Sequence, residues 1–582
     1  MKILLVAINA KFTHSNLAVH SLKVYADHYF SHINPDMLVH MDLKPKIVVQ
    51  EYTINQNIDT IMSSIYQENA DILCFSCYIW NIGMIRNLID TFATISPKLA
   101  IWLGGPEVSY QTDYYLEQYD NVTEVVSGEG EFDFVELICE YLEHKTELHF
   151  DIRPNDIVEI EGHKNFSCVP FPYHDLTLFQ HRILYYESSR GCPYRCSYCI
   201  SSVEASVTFR DMEFVQQELQ FFLDHKVPQV KFVDRTFNCN HSHSMAIWQY
   251  LKQHDNGVTN FHFEIKADLL TDEELSFLRT LRPHLLQFEI GVQSTNPNTL
   301  QEIRRITDFD KLYHNVKELR KGRNIHLHLD LIAGLPYENL KRFRTSFNDV
   351  MNLRPNQLQL GFLKVLSGSH MEEMKDEYQL VARSYAPYEI LQNRWMSYND
   401  LQELKLVEQV VELYYNSESY QKSLDLLCSF YLEPYSFYLD LGRYYVDSMP
   451  QGMSANRVRN YEILLKFGRE VIYDYTYNDE TSEELLDRMF LENLIHDFYR
   501  KDHVKNRPAF AGEDTVSKER KREFYDQEDQ ERNYLIGYES YDKRQMRNMT
   551  HLEQLEEGLY LFDYLNRDPY TQQARVILVD AK

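Results

Sequence analysis

The chain has 582 residues, too many for one hydrophobic core, so three or four domains are expected. With 44% apolar and 25% charged residues it has the composition of a folded globular protein, which excludes extensive disorder. A net charge of −28 excludes broad, non-specific binding to nucleic acid, because an acidic surface repels phosphate, although a local basic site is compatible with it.

The opening residues, Met1-Lys2-Ile3-Leu4-Leu5-Val6-Ala7-Ile8, read as a buried strand rather than a signal peptide. No apolar run approaches the roughly 20 residues of a membrane helix, so the expectation is a cytoplasmic protein with no membrane partner. From residue 1 to 145, short apolar runs at Ile3–Ile8, Ile72–Cys77, Leu99–Leu103 and Thr123–Val126 alternate with stretches of helical spacing. That alternation predicts a doubly wound, Rossmann-like α/β domain with a parallel sheet. Two of the runs end in glycine, at Leu103-Gly104-Gly105-Pro106 and Val126-Ser127-Gly128-Glu129-Gly130. Glycine there lets a ligand approach the backbone at the carboxyl edge of the sheet.

A linker is expected over residues 146–180, which contain Pro154, Pro170 and Pro172. A second α/β series then covers 181–372. Its strands are predicted at Ile183–Glu187, Gln229–Val233, Phe261–Lys266, Leu286–Val292, Ile325–Ile332 and Gln357–Leu363, with helical stretches between them. Six such units suit a partial (β/α)6 barrel, since eight would need about 250 residues. Residues 373–582 lose the strand signal and read as mainly α-helical, rich in Tyr and Phe. The charged stretch Lys505 to Glu531 reads as either a solvated helix or a loop.

Nine cysteines in so long a chain are no disulfide scaffold. Six are scattered and read as small buried hydrophobes. The other three form Gly191-Cys192-Pro193-Tyr194-Arg195-Cys196-Ser197-Tyr198-Cys199, just past the first strand of the second series. Three thiolates on one short loop can ligate three irons of a cubane and leave the fourth iron open. A zinc site would want a fourth ligand, and no further Cys or His continues the loop.

The Cys-x3-Cys-x2-Cys motif, with Tyr198 before its last cysteine, resembles that of the radical SAM superfamily. The resemblance extends to Phe232-Val233-Asp234-Arg235-Thr236-Phe237-Asn238, to Phe261-His262-Phe263-Glu264-Ile265-Lys266-Ala267-Asp268, to Phe288-Glu289-Ile290-Gly291-Val292-Gln293-Ser294, and to Asp330-Leu331-Ile332-Ala333-Gly334-Leu335-Pro336-Tyr337-Glu338. It implies a 4Fe–4S cluster on Cys192, Cys196 and Cys199. It also implies S-adenosylmethionine beside Tyr198, Asp234, Glu264, Glu289, Gln293, Gly334 and Pro336. The implied reaction is reductive cleavage of S-adenosylmethionine to a 5′-deoxyadenosyl radical, with a flavodoxin or ferredoxin as electron donor.

The glycine-ended strands and the order of domains resemble the cobalamin-binding domain that precedes many radical SAM domains. This implies cobalamin near Asn9, Ser76, Gly104, Gly105, Gly128, Glu129 and Gly130. The family's Asp-x-His-x-x-Gly signature is replaced by Asn9-Ala10-Lys11-Phe12-Thr13-His14, with Lys11 at the position of the cobalt-binding histidine. Any bound cobalamin is therefore expected to lack a histidine lower ligand; a domain that keeps the fold without the cofactor is the alternative. The region beyond residue 375 resembles a helical domain of unknown function that follows some such proteins.

The leading expectation is a cobalamin-dependent radical SAM enzyme, class B in type, that methylates an unactivated carbon of a small molecule, peptide or RNA. A rearrangement, cyclisation or redox reaction without methyl transfer is the second reading, and a cofactor-binding sensor the third.

Overall fold

The computed structural model describes residues 1–32, 45–145, 150, 165–202, 206–449, 456–477, 479–504, 506–568 and 571–581. Pro154, most of the expected linker, and Lys505 lie outside the described residues.

The first sheet contains five parallel strands: β1 (Lys2–Asn9), β2 (Lys46–Thr53), β3 (Ile72–Ser76), β4 (Ala100–Gly104) and β5 (Val122–Val126), in the order β2-β1-β3-β4-β5. Alternate residues of β1 feed two cores. Ile3, Leu5 and Ala7 pack with Tyr25, Tyr29, Phe134 and Ile138, whereas Leu4, Val6 and Ile8 pack with Ile61, Ile65, Ile85 and Ile89. A strand buried on both faces needs a near-continuous apolar run, and this is what Ile3–Ile8 supplies. The order reverses between β1 and β3, which makes a topological switch point at the carboxyl edge. Strand β2 escaped the sequence reading. It is an edge strand, and most of its residues are only half-buried, so no apolar run marks it.

The second sheet has the order β13-β12-β11-β10-β9-β6. Its members are β6 (Leu184–Tyr186), β9 (Gln229–Phe232), β10 (Asn260–Ile265), β11 (Leu286–Gln293), β12 (His326–Ala333) and β13 (Gln357–Phe362). Between β6 and β9 a small antiparallel ribbon joins β7 (Ser189–Arg190) to β8 (Thr208–Phe209). Spatial order follows chain order, as in an open barrel built from successive βα units. Phe263 packs against Phe232, Phe237 and Phe288 in tilted and edge-on contacts, and Phe288 against Trp248 from the helix His241–Gln253. With the aromatic residues on one face, the alternate positions Lys231, His262, Glu264, Glu289 and His328 fall on the other. That face is polar.

The chain divides into two compact units, residues 1–340 with 361–398, and residues 341–360 with 399–582. Within the second unit, Arg344 lies 2.6 Å from Glu403, and Tyr435 N–H donates to Asn348 Oδ1 at 2.8 Å. These contacts group 341–360 with the later residues.

Helices at Tyr398–Val410, Gln421–Cys428, Pro434–Asp447, Arg457–Thr476 and Glu480–Lys501 dominate the region beyond residue 398. The charged stretch is helical over Lys518–Glu531, capped by Ser517 and burying Phe524, Tyr525 and Glu528. The sequence reading missed an antiparallel ribbon of β14 (Val381–Ala382) and β15 (Ile390–Gln392), the helix Pro434–Asp447, and an antiparallel sheet of β16 (Thr550–Leu555), β17 (Gly558–Asp563) and β18 (Arg575–Ala581). A fully buried Glu553 in β16, held by Arg507 at 2.6 and 2.8 Å, breaks the apolar alternation by which a strand is recognised. Among the described residues, no helix is long and apolar enough to cross a membrane.

Candidate active site

The cysteine loop leaves β6 and is fastened before it reaches its first sulfur. Asp234, just beyond β9, is fully buried. Its carboxylate accepts from Ser188 N–H at 3.1 Å, Ser188 Oγ at 2.6 Å and Ser189 Oγ at 2.5 Å. Asp234 thus supports the loop from beneath. Gly191 follows with φ +90°, and a Cβ there would lie 2.0 Å from the Ser206 carbonyl, so only glycine fits. Cys192 and Cys196 are buried and Cys199 is half-buried. Cys199 N–H donates to Cys196 O at 3.1 Å, Ser197 N–H to Ile303 O at 3.0 Å, and Met371 N–H to Ser197 O at 2.8 Å.

Arg305 was not anticipated. Its guanidinium lies 3.8 Å from Cys196 Sγ and 3.3 Å from Tyr198 Oη, and it donates to the Gly291 carbonyl. The only sequence clue was a pair of arginines, Arg304-Arg305, in a turn after the fourth barrel strand, which spacing alone does not distinguish from a surface pair.

The barrel's inner face carries charge in layers. Glu264 on β10, Glu289 on β11 and His328 on β12 are in register, as are Gly291 and Asp330. Lys231 Nζ is 3.0 Å from Glu289 and 3.9 Å from Glu264, and His262 Nε2 is 3.2 Å from Glu289. Burial, with the Glu289 charge added, pushes the Glu264 carboxyl up to about 7. Burial, then Glu289 and Glu264, push Asp330 well above the carboxylate range. Burial works against ionised Glu289 too, but His262 and Lys231 outweigh it and hold that carboxyl low. The structure therefore brings Glu264 and Glu289 together and adds His262 and Asp330, which lie in the motif segments without an assigned role, and Lys231 and His328, which lie outside them. Gln293 has φ +70°, and its Oε1 is buried with no hydrogen-bond partner among the described residues.

Gly334 has φ +85°, and its carbonyl accepts from Asn393 Nδ2 at 2.8 Å; a Cβ there would come within 2.9 Å of Ile390. The Pro336 carbonyl accepts from Thr299 Oγ1 at 2.9 Å.

At the carboxyl edge of the first sheet, Gly105 has φ +112° and presses on the Cys77 carbonyl, where a Cβ would sit 2.6 Å away. Gly128 has φ +87° with open space beside it, Gly104 is the last residue of β4, and Gly130 begins the helix Gly130–Lys145. Three predicted contacts have side chains engaged within the protein. Asn9 Nδ2 donates to the His14 carbonyl and to Glu51, Ser76 Oγ accepts from Asn16 Nδ2, and Glu129 pairs with Arg190. Lys11 is exposed.

Three families match in chain order: the B12 binding domain over residues 3–138, the radical SAM superfamily over 186–350, and a protein of unknown function, DUF4080, over 376–579. The chain joins a B12 binding domain, a radical SAM domain and a DUF4080 region. It is 25% identical over 309 residues to 2-(S-pantetheinyl)-carbapenam-3-carboxylate methyltransferase of Streptantibioticus cattleyicolor, covering 49% of this chain and 45% of that protein. It is 24% identical over 308 residues to the cobalamin-dependent radical SAM methyltransferase TokK of Streptomyces tokunonensis, covering 48% and 45%. The matches span less than half the length of these relatives.

In fold, the radical SAM methyltransferase TsrM of Kitasatospora setae, with cobalamin and a 4Fe–4S cluster bound, superposes with a TM-score of 0.51. The match is at 15% identity, over 66% of this chain and 80% of that one. The cobalamin-dependent enzyme OxsB with aqua-cobalamin bound gives 0.53 at 15% identity, over 85% and 81%.

The radical SAM residues present suit a cluster. All three cysteines lie on one loop, outside any disulfide. Three thiolate donors on one short loop are the donor set of a multi-iron group, whereas Glu289, His328 and Asp330, with ligand atoms within 4.8 Å of one another, form a separate set of harder donors. The first residues of the DUF4080 match belong to the same compact unit as the B12 match and the radical SAM match up to residue 340. Tyr388 donates to Glu107 in the B12 domain, and Asn393 caps the Gly334 carbonyl.

Proposed function

We propose that this protein is a cobalamin-dependent radical SAM enzyme that methylates an unactivated carbon, acting in the cytoplasm on a small-molecule, peptide or RNA substrate with a flavodoxin or ferredoxin as reductant. The supporting observation is that the three-cysteine loop and the glycine-edged carboxyl side of the B12 domain fall within one compact unit. When bound, the cluster and cobalamin supply one-electron and methyl-transfer chemistry.

The protein's own residues supply position. Asp234 and Gly191 shape the loop that presents the thiolates, and Arg305 places a cation beside Cys196. In this reading Glu264, Glu289 and Asp330 offer carboxyl groups to the cationic cofactor, while the turn through Gly334 and Pro336, held by Asn393 and Thr299, borders its flat base. Gly104, Gly105, Gly128 and Gly130 leave bare backbone for the cobalamin tail. The cobalamin would lack a histidine lower ligand, since Lys11 stands at the motif position and His14 is taken by Tyr185.

The test is anaerobic purification with iron and cobalamin quantified, followed by mass spectrometry of adenosine products. S-adenosylhomocysteine together with 5′-deoxyadenosine supports methyl transfer. 5′-Deoxyadenosine alone points to a rearrangement or redox outcome. Neither product from a cluster-loaded enzyme overturns the proposal.

A further inference from the structure

Arg190 stands two residues before Cys192, and its guanidinium reaches three carboxylates. Nε donates to Glu187 at 2.8 Å, Nη1 to Glu129 at 3.2 Å and to Glu131 at 3.1 Å, and Nη2 to Glu131 at 2.6 Å. The Phe166 ring lies 4.6 Å from the guanidinium carbon and closes another side. Arg190 and Glu131 are largely withdrawn from solvent, with side-chain exposures of 14% and 8%. A bidentate pair at such exposure is geometrically specific, unlike a surface ion pair.

Its partners belong to different functional loops. Glu187 sits on the cysteine loop's own approach, whereas Glu129 and Glu131 flank Gly130 at the carboxyl edge of the B12 sheet. There Gly128 leaves open space at φ +87°. On the other side, Arg190 pairs with Thr208 in the β7–β8 ribbon and leads directly into Gly191, which has no room for a side chain. The chain between guanidinium and first sulfur is therefore short and sterically fixed.

We infer that Arg190 is a positioning residue that couples the cobalamin-side loop, residues 127–131, to the cluster loop, so that loading one site strengthens binding at the other. The inference rests on the cofactor reading proposed above. A ligand seated against Gly128 fixes Glu129 and Glu131, these fix the guanidinium, and the guanidinium fixes the approach to Cys192. Coupling of this kind is reciprocal, because it is a free energy shared by two sites. Removing the guanidinium also leaves three carboxylates facing one another, so the two loops repel as well as disconnect.

The experiment uses the full chain under anaerobic conditions. Hydroxocobalamin is titrated by absorbance into cluster-free and cluster-reconstituted protein. The wild type is expected to bind cobalamin about fivefold more tightly with the cluster in place. In Arg190→Gln that ratio falls to about one, and Arg190→Lys restores part of it. Equal affinity of the two wild-type forms, or an unchanged ratio in Arg190→Gln, overturns the inference.

If Arg190→Gln shows no cooperative melt, Glu129→Gln decides. This side chain is about half exposed, and its loss should lower the ratio at least twofold; no change overturns the coupling. Absence of cobalamin binding to either wild-type form overturns the cofactor reading itself. Binding without linkage overturns the coupling alone.

Discussion

His14 Nδ1 lies 2.5 Å from Tyr185 Oη, with the two rings stacked at 6.0 Å and 28°. The contact joins the loop after β1 to the first barrel strand. Ile183 N–H donates to the Thr13 carbonyl at 2.7 Å, and Ser15 Oγ to the Ile183 carbonyl at 2.9 Å. The histidine nearest the altered cobalamin motif is thus committed to the barrel, and burial, then Lys11 and Lys231, lower its pKa.

With cob(II)alamin bound, wild type and His14→Ala should therefore give the same cobalt EPR spectrum, without nitrogen splitting from a protein ligand. Lys11→His, which returns an imidazole to the motif position, should introduce that splitting. A nitrogen-split wild-type spectrum that His14→Ala abolishes would reverse this assignment. Loss of the His14–Tyr185 hydrogen bond should cost about 1 kcal/mol of stability, seen as a lowered thermal midpoint in both His14→Ala and Tyr185→Phe.

Asp234 supports the cysteine loop through three hydrogen bonds. Asp234→Asn exchanges a buried acceptor oxygen for a donor facing serine hydroxyls and should cost about 1–3 kcal/mol. Cluster yield on reconstitution should fall with it, while S-adenosylmethionine affinity per assembled cluster stays within about twofold. A large loss of affinity at full cluster occupancy would instead make Asp234 a direct cofactor contact.

The cysteine loop was legible because its chemistry is local: three thiols within eight residues need no tertiary context to be recognised. The doubly wound fold was legible because strands buried on both faces demand continuous apolar runs, as at Ile3–Ile8. The barrel was legible because its strands alternate apolar with polar residues, as in Leu327-His328-Leu329-Asp330-Leu331. What escaped depends on partners distant in sequence. Arg305 reaches Cys196 across 109 positions, and Arg190 reaches Glu131 across 59. Nothing in either segment signals the pairing. The β16–β18 sheet was hidden for the same reason, since Glu553 is a strand-core residue only when Arg507 is beside it.

Cys192→Ala, Cys196→Ala or Cys199→Ala should each lower reconstituted iron from about four per chain to well below one. Cys239 is the control. It is half-buried, and burial, then the nearby Cys192, push its thiol up to about 11, so it holds little thiolate at neutral pH. Cys239→Ala should retain the iron. Full iron in Cys199→Ala would mean that another ligand completes the cluster.

Glu264 gives the pH dependence. Its carboxyl is raised to about 7 by burial and then by Glu289, against Lys231 and Arg235, with Asp234 adding to the rise. The native chain holds this proton where the unfolded chain, at 4.5, has released it. This contribution to stability is therefore full below about 4.5, is lost as pH rises toward about 7, and is constant above that. Glu264→Gln should flatten the fall of the apo-protein's thermal midpoint across that window. Under the proposed function, affinity for the cationic S-adenosylmethionine should run the other way, because the Glu264 carboxylate offered to it forms only as the proton leaves. From about pH 6 to about pH 7.5, binding should tighten about threefold or more in wild type and stay nearly level in Glu264→Gln. An equally steep profile in the variant would assign the titration to Asp330, whose carboxyl is raised by burial, then by Glu289 and Glu264.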